Sequence, residues 1–304
     1  MIRVLVTDGM NKDSIEVLRN NDYEVVEKFY EPDELGSALQ EFDVVVVRSA
    51  TKIRQPIIDK AMETGRLKLI IRGGVGVDNI DVAYATSKGI RVANTPNSSS
   101  DSVAELALAH MFAVCRFVNI SNVTMREGKW EKKKYSGIEL GGKTLGLVGF
   151  GRISKALAQK ASALGMNVIY TDILGKAEGY DRYEYYTLEE LLPKADFVSL
   201  HIPFIKEQGA TIGKAQLDLM KDGAVLINCA RGGVVDEVAL LEALNSGKLR
   251  GAGIDVFEVE PATNTELINH PNVSVTPHIG AATKEAQTRI GAEVVQVIFD
   301  FFNK

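Results

Sequence analysis

Gly149, Gly151 and, about twenty positions later, Asp172 are the residues of this 304-residue chain whose types and spacing most directly permit chemistry. Glycine at 149 allows a tight turn, and glycine at 151 lets a pyrophosphate approach the backbone. A helix opening at Arg152 and Ile153 would add free N–H groups and the positive end of its dipole. Asp172 can accept hydrogen bonds from the hydroxyls of an adenosine ribose. The third glycine of the usual motif is replaced by Ser154, which is small enough for helix and strand to pack closely. Ile173 stands where a 2′-phosphate would want a cation, so NAD is favoured over NADP.

Those residues need a strand before them, a helix after them and a second strand ending at the acid. TLGLV at 144–148 is an apolar strand, and residues 152–164 place Ile153, Leu157, Ala161 and Leu164 at helical spacing. Gly165 gives a stop signal, and 167–171 reads as the second strand. A glycine pair alone is usually only a turn; this flanking order makes it specific. Upstream, short apolar runs at 2–7, 23–28, 43–47, 69–71 and 90–93 alternate with helical segments, which is an α/β layer system by itself. The valine run before Arg48 suits a strand buried on both faces of a parallel sheet. Proline, asparagine and serine at 94–100 mark a boundary. Residues 101–118 then predict one long apolar helix, 128–137 a polar arm, and 253–255 a short strand. Residues 281–302 predict a terminal helix able to return to the first domain.

The net charge is −5 with no large basic block, which argues against a nucleic-acid surface. Cys115 and Cys229 give no disulfide framework and fit a reducing, cytoplasmic setting. The N-terminus reads as a strand and turn, not a secretion signal, and no apolar run reaches membrane-spanning length. No metal site is expected.

Several longer motifs carry a resemblance. GGVGVDNID at 73–81, the His201-Ile202-Pro203 triplet, NCARGGVVD at 228–236, DVFEVEP at 255–261 and PHIGA at 277–281 are similar to those of the D-isomer-specific 2-hydroxyacid dehydrogenases. The likeness runs essentially end to end. VRSAT at 47–51, GKWEKKK at 128–134 and PHIGAATKEA at 277–286 resemble the phosphoglycerate dehydrogenase subgroup. Many of that subgroup continue into a regulatory domain, so an end at Lys304 implies a short form. The implied fold is α/β, with two Rossmann-like, doubly wound parallel-sheet domains and an interdomain cleft. Residues 1–95 plus 281–304 would form a discontinuous substrate-binding domain, and 96–280 the NAD-binding domain. A homodimer is implied, with the arm at Lys132–Lys134 crossing to the neighbouring subunit.

The resemblance also implies roles. Arg231, Glu260 and His278 fall on the family's catalytic positions. Imidazole titrates near working pH and can take the hydroxyl proton; a carboxylate fixes its ring; a guanidinium binds the substrate carboxylate and polarises the C–O bond. Singly, each has an ordinary reading: a strand-end arginine, a solvated turn acid that competes with Glu258, a structural histidine. Cofactor contacts would come from Val75, Gly149, Gly151, Arg152, Ile153, Asp172, His201, Ile202, Pro203, Cys229, Ala230, Asp255, His278 and Gly280. Asp255 would meet the nicotinamide carboxamide or ribose, or else cap a turn. Substrate contacts would come from Gly73, Gly74 and Val75 through backbone N–H groups, and from Arg231 and His278. Arg48 and Arg72 at strand ends would take a phosphate. The implied reaction is oxidation of 3-phospho-D-glycerate to 3-phosphooxypyruvate. A glyoxylate or hydroxypyruvate reductase stays open, as does an NADH-sensing, corepressor-like binding protein.

Overall fold

The computed structural model describes residues 1–302. The chain divides into two compact units, Met1–Ser99 together with the segment from Ala281 onward, and Ser100–Gly280. In the first, β1 (Ile2–Val6), α1 (Lys12–Arg19), β2 (Tyr23–Glu27), α2 (Pro32–Ala38), β3 (Val44–Val47), α3 (Gln55–Ala61), β4 (Leu69–Arg72), α4 (Val82–Ser87) and β5 (Arg91–Asn94) alternate. The strands form a parallel sheet in the order β2-β1-β3-β4-β5. Side chains alternate across it, as strand geometry requires. Val4, Val6, Val44, Val46 and Ile71 pack with Ile290, Val294 and Ile298 of the terminal helix, Lys284–Phe302. Leu5, Val45, Val47 and Ile70 pack with Leu35, Leu39 and Ile58 on the other face. The terminal helix therefore completes the core of the first unit, because one face of that sheet would otherwise be bare.

The second unit opens with α5 (Ser100–Arg116) and α6 (Val118–Arg126). It continues through β6 (Thr144–Val148), α7 (Arg152–Ala163), β7 (Asn167–Thr171), β8 (Glu184–Tyr185), α8 (Leu188–Leu191), β9 (Phe197–Leu200) and α9 (Lys214–Leu219). It ends with β10 (Ala224–Asn228), α10 (Glu237–Asn245), β11 (Leu249–Ile254), α11 (Thr265–Ile268) and β12 (Val273–Val275); the terminal helix is α12. Its seven parallel strands run β12-β11-β10-β9-β6-β7-β8. Strand order reverses at β6, so the connections leave β6 and β9 in opposite directions. That reversal opens a crevice at the strands' carboxyl ends, where ligands bind in open α/β sheets.

Two sequence-based expectations need correction. The long helix expected over 101–118 is α5, which ends two residues early at Arg116: Phe117 adopts a left-handed backbone (φ 55°), and an unexpected second helix, α6, leaves at 62° to α5. Apolar periodicity continues through the break, so nothing local announces it. The ring of Phe117 is instead held by Tyr135 of the arm, 5.8 Å between centroids, and by the Arg250 guanidinium at 5.6 Å. The short strand over 253–255 is the end of the longer β11. Glycine disfavours strands, so Gly251 and Gly253 hid it. Their reason is the close approach of α5: a Cβ on Gly253 would overlap the Cβ of His110 and come within 2.9 Å of Ile227.

The arm carries a single 3₁₀ turn at Lys132–Lys134, where Lys134 pairs with Glu131 at 2.7 Å. Both cysteines are buried and unbridged. Among the described residues no single helix is long and apolar enough to cross a membrane. Gly253→Ala tests the α5–β11 approach. Overpacking should cost on the order of 2 kcal/mol, read as a lowered midpoint in thermal unfolding; an unchanged midpoint would contradict that packing.

Candidate active site

Gly149 follows β6 directly and takes φ +86°. A Cβ there would stand 2.7 Å from the carbonyl oxygen of His201, just past β9, so glycine is required by both the turn and the neighbouring strand. His201 N–H donates to the Val148 carbonyl at 2.8 Å, which fixes that approach. Gly151 is the N-cap of α7, with no side chain capping the helix, and a Cβ on it would meet nothing within 4 Å. Uncapped N–H groups beside open space fit a pyrophosphate. Ser154 is fully buried, and its hydroxyl donates to the Gly149 carbonyl. The residue replacing the third glycine thus ties the helix to the turn.

Asp172 lies one residue past β7. One carboxylate oxygen accepts the Phe150 N–H at 2.6 Å, and the other accepts the Leu174 N–H at 2.9 Å. Each oxygen keeps a lone pair for a ribose hydroxyl. Beside it, Ile173 is 100% and Leu174 90% exposed, an apolar lip with no cation at that step. The His201 imidazole bonds Ser199 Oγ at 3.0 Å, and burial drives its pKa down to about 3, so it stays neutral. Ile202 is half-buried and Pro203 exposed.

The second cluster grows from the ends of β10 and β11. Asn228, the last residue of β10, is buried; its amide donates to the Arg231 carbonyl at 3.0 Å and accepts the Ala230 N–H at 3.1 Å. This closes the turn that carries Cys229, Ala230 and Arg231. A Cβ on Gly232 would overlap the Phe257 carbonyl oxygen, so only glycine lets this turn lie against the segment after β11. That segment carries Glu260. One of its oxygens accepts the Phe257 N–H at 3.2 Å, and the other lies 2.8 Å from His278 Nδ1. Glu258, the sequence competitor, accepts the Glu237 N–H at the start of α10 at 3.1 Å and donates its own N–H to the Glu237 carboxylate at 2.8 Å, and is thereby accounted for.

His278 sits in the left-handed region, φ +54°, an uncommon place for histidine. Asp255 holds it there. The Asp255 carbonyl accepts the His278 N–H at 2.8 Å. Its carboxylate, 1% exposed, accepts Ile279 N–H at 2.8 Å, Gly280 N–H at 2.9 Å and Thr276 Oγ1 at 2.6 Å. Of the two readings for Asp255, the geometry displays the turn anchor. Sequence reasoning missed Thr276 and gave no role to Asn228, although Asn228 opens the NCARGGVVD motif. The only signal for Thr276 was a polar residue beside a chemical motif.

With Nδ1 against a carboxylate, the ring carries its proton there and presents Nε2 as the acceptor. Burial pushes the Glu260 carboxyl up, but the His278 bond and charge, the Phe257 N–H and the Arg231 charge outweigh it, so it lies below its ordinary value. A depressed carboxyl stabilises the fold at neutral pH, and that contribution is lost only as pH falls through the depressed value. Arg231 is half-buried, and its Nη1 donates to the Ala230 carbonyl at 2.5 Å. The buried Cys229 thiol is pushed up by burial and by the Asp255 charge, which suits packing and not nucleophilic attack.

In the first unit, β3 and β4 pair with Val47 opposite Arg72, so Arg48 and Arg72 stand at adjoining strand ends. Asp8 accepts the Arg48 N–H at 2.7 Å and the Thr51 hydroxyl at 2.6 Å, pinning the turn after β3. Beyond β4, the Gly73 N–H donates to Val47 at 2.8 Å. The carbonyls of Gly74 and Val75 accept Thr95 N–H at 3.0 Å and the Asn94 amide at 2.5 Å.

Comparison with known proteins places these features. The profile described as D-isomer specific 2-hydroxyacid dehydrogenase, NAD binding domain, matches residues 108–280. Over 301 residues the chain is 47% identical to a hydroxypyruvate reductase of Thermotoga maritima, covering 98% of this chain and 97% of that one. It is 44% identical over 301 residues to a D-3-phosphoglycerate dehydrogenase of Methanocaldococcus jannaschii, covering 98% of this chain but 57% of that protein's length. The solved structure of D-lactate dehydrogenase from Aquifex aeolicus, complexed with NAD and lactic acid, matches with a TM-score of 0.86 and 32% identity, covering 99% of this chain and 95% of that one. The matched segment contains the glycine turn, the Asp255-anchored turn and the Glu260–His278 pair, and the likeness extends over nearly the whole chain. The chain belongs to the D-isomer-specific 2-hydroxyacid dehydrogenases, which transfer a hydride between NAD(P) and a 2-hydroxy or 2-oxo acid.

Proposed function

We propose that this chain is an NAD-dependent oxidoreductase that interconverts 3-phospho-D-glycerate and 3-phosphooxypyruvate. The observation that carries the chemistry is the 2.8 Å bond between Glu260 and His278 Nδ1, which leaves Nε2 as the base. In the oxidising direction, His278 takes the hydroxyl proton and Glu260 stabilises the resulting imidazolium. Arg231 binds the substrate carboxylate and polarises the C2 oxygen through its fork of donors. When bound, NAD supplies the hydride acceptor. Gly149, Gly151 and the start of α7 would hold its pyrophosphate, and Asp172 its ribose. The apolar lip at Ile173 and Leu174 supports NAD over NADP. Cofactor binding is assigned to the second unit, and binding of the acid's far end to the first. There, Arg48 and Arg72 at neighbouring strand ends are the proposed phosphate ligands. Two buried, unbridged thiols support a reducing, cytoplasmic setting.

A second reading is favoured by one observation. The Thermotoga maritima hydroxypyruvate reductase matches this chain over 97% of its own length, whereas the phosphoglycerate dehydrogenase match spans 57%. The two readings differ only in the phosphate. A substrate panel with NADH, comparing 3-phosphooxypyruvate, hydroxypyruvate and glyoxylate, separates them. Phosphate preference should be strong in the native protein and reduced in Arg48→Ala by roughly tenfold or more. Equal turnover of the phosphorylated and plain acids would establish the second reading. In the same panel, Arg231→Ala should lose on the order of a hundredfold or more in turnover while NADH binding persists; near-normal turnover would reject its role.

The chain is also proposed to be a homodimer. Val118 and Met125, seven positions apart and so on one side of α6, and Trp130 of the arm, 79% exposed, are exposed apolar side chains that a second copy would cover. Sedimentation should report twice the chain mass at micromolar concentration, and a monomer would refute this.

A further inference from the structure

We propose that His110, in the middle of α5, is a positioning residue for hydride transfer: acting through Thr276, it orients the Asp255 carboxylate on which the turn carrying His278 is built. The inference rests on the reading of His278 as the base. His110 is 2% exposed and lies on no strand end or loop. Its Nδ1 is 2.9 Å from Ser274 Oγ, and its Nε2 is 3.0 Å from Thr276 Oγ1. Thr276 Oγ1 is in turn 2.6 Å from Asp255 Oδ1.

The proton positions follow from counting donors. An ionised carboxylate only accepts, so the single hydroxyl proton of Thr276 points at Asp255. The hydroxyl then has only lone pairs left for His110, so Nε2 must carry a proton and donate it. Nδ1 must be the acceptor, and the Ser274 hydroxyl donates to it. Burial favours this neutral ring, although the Asp255 charge acts the other way. The result is a directional chain: His110 donates to Thr276, and Thr276 donates to Asp255. On the far side, Asp255 receives the Ile279 and Gly280 N–H groups that immediately follow His278.

The backbone is built for this contact. Gly253 lacks the Cβ that would overlap His110, and that absence lets α5 approach β11 at this level. The core helix thereby sets the orientation of a carboxylate that no longer has freedom to rotate. The carboxylate in turn holds His278 in its left-handed conformation.

The test uses full-length, ¹⁵N-labelled protein and long-range ¹H–¹⁵N spectra of the imidazoles between about pH 5 and pH 8. The signal that disappears in His110→Leu should belong to a non-titrating ring protonated on Nε2. A ring protonated on Nδ1, or one that titrates in this range, overturns the proposal. In kinetics, His110→Leu should lower kcat by about tenfold with dinucleotide affinity unchanged. His110→Gln, whose amide can donate from the same place, should recover most of the loss. An unchanged kcat in His110→Leu, or no recovery in His110→Gln, also overturns it. Should His110→Leu fail to fold, Thr276→Val must show the same loss of kcat at unchanged dinucleotide affinity, and native kcat there overturns it. Failure of the underlying reading has a different signature: turnover surviving in His278→Ala, whatever the His110 spectrum shows.

Discussion

A carboxylate buried to 1% exposure must find hydrogen-bond donors, and Asp255 finds them in the turn that carries His278. Leaving such a group unsatisfied costs several kcal/mol, roughly, whereas a left-handed histidine costs about 1–3 kcal/mol. The larger demand wins, and the strained backbone at His278 persists because Asp255 over-determines it. The ring is then presented to Glu260 at hydrogen-bond distance, with one nitrogen committed and the other available. The site is a consequence of satisfying one buried charge.

The same economy governs the cofactor side. β6 lies where the sheet order reverses, so its carboxyl end opens onto a crevice, and Gly149 turns the chain there. Asp172 accepts the Phe150 and Leu174 N–H groups, which orders the loop on both sides of it. Ser154 adds a hydroxyl tie that a glycine could not make. The departure from the usual three-glycine pattern therefore leaves the turn held, not loosened.

Much of this was legible in the residues. The glycine turn, its flanking strands and the closing acid follow local rules of period and capping, and the structure has them nearly residue for residue. The turn at Phe117 into α6 was not legible, because no glycine or proline marks it and the ring's partners, Tyr135 and Arg250, are distant in sequence. β11 was half-hidden because its glycines answer to the nearness of α5, not to strand propensity. Glu260 and His278 are 18 positions apart, on no common helix or strand, so no periodicity could pair them. Motif resemblance named both, but not what holds them. Asn228, Thr276 and His110 act by hydrogen bonds between segments distant in sequence, and composition gives no sign of such bonds.

The proposed chemistry depends on the Glu260 carboxylate fixing the imidazole of His278 and stabilising its charged form during proton transfer. The most direct measurement is kcat for oxidation at neutral pH in Glu260→Gln beside the native protein. Glu260 lies below the ordinary carboxylate range, so it is ionised throughout the working range and its removal takes away a full charge. In Glu260→Gln kcat should fall by roughly a hundredfold, because the imidazolium formed in the transfer has lost its partner. A native rate in Glu260→Gln would contradict that role.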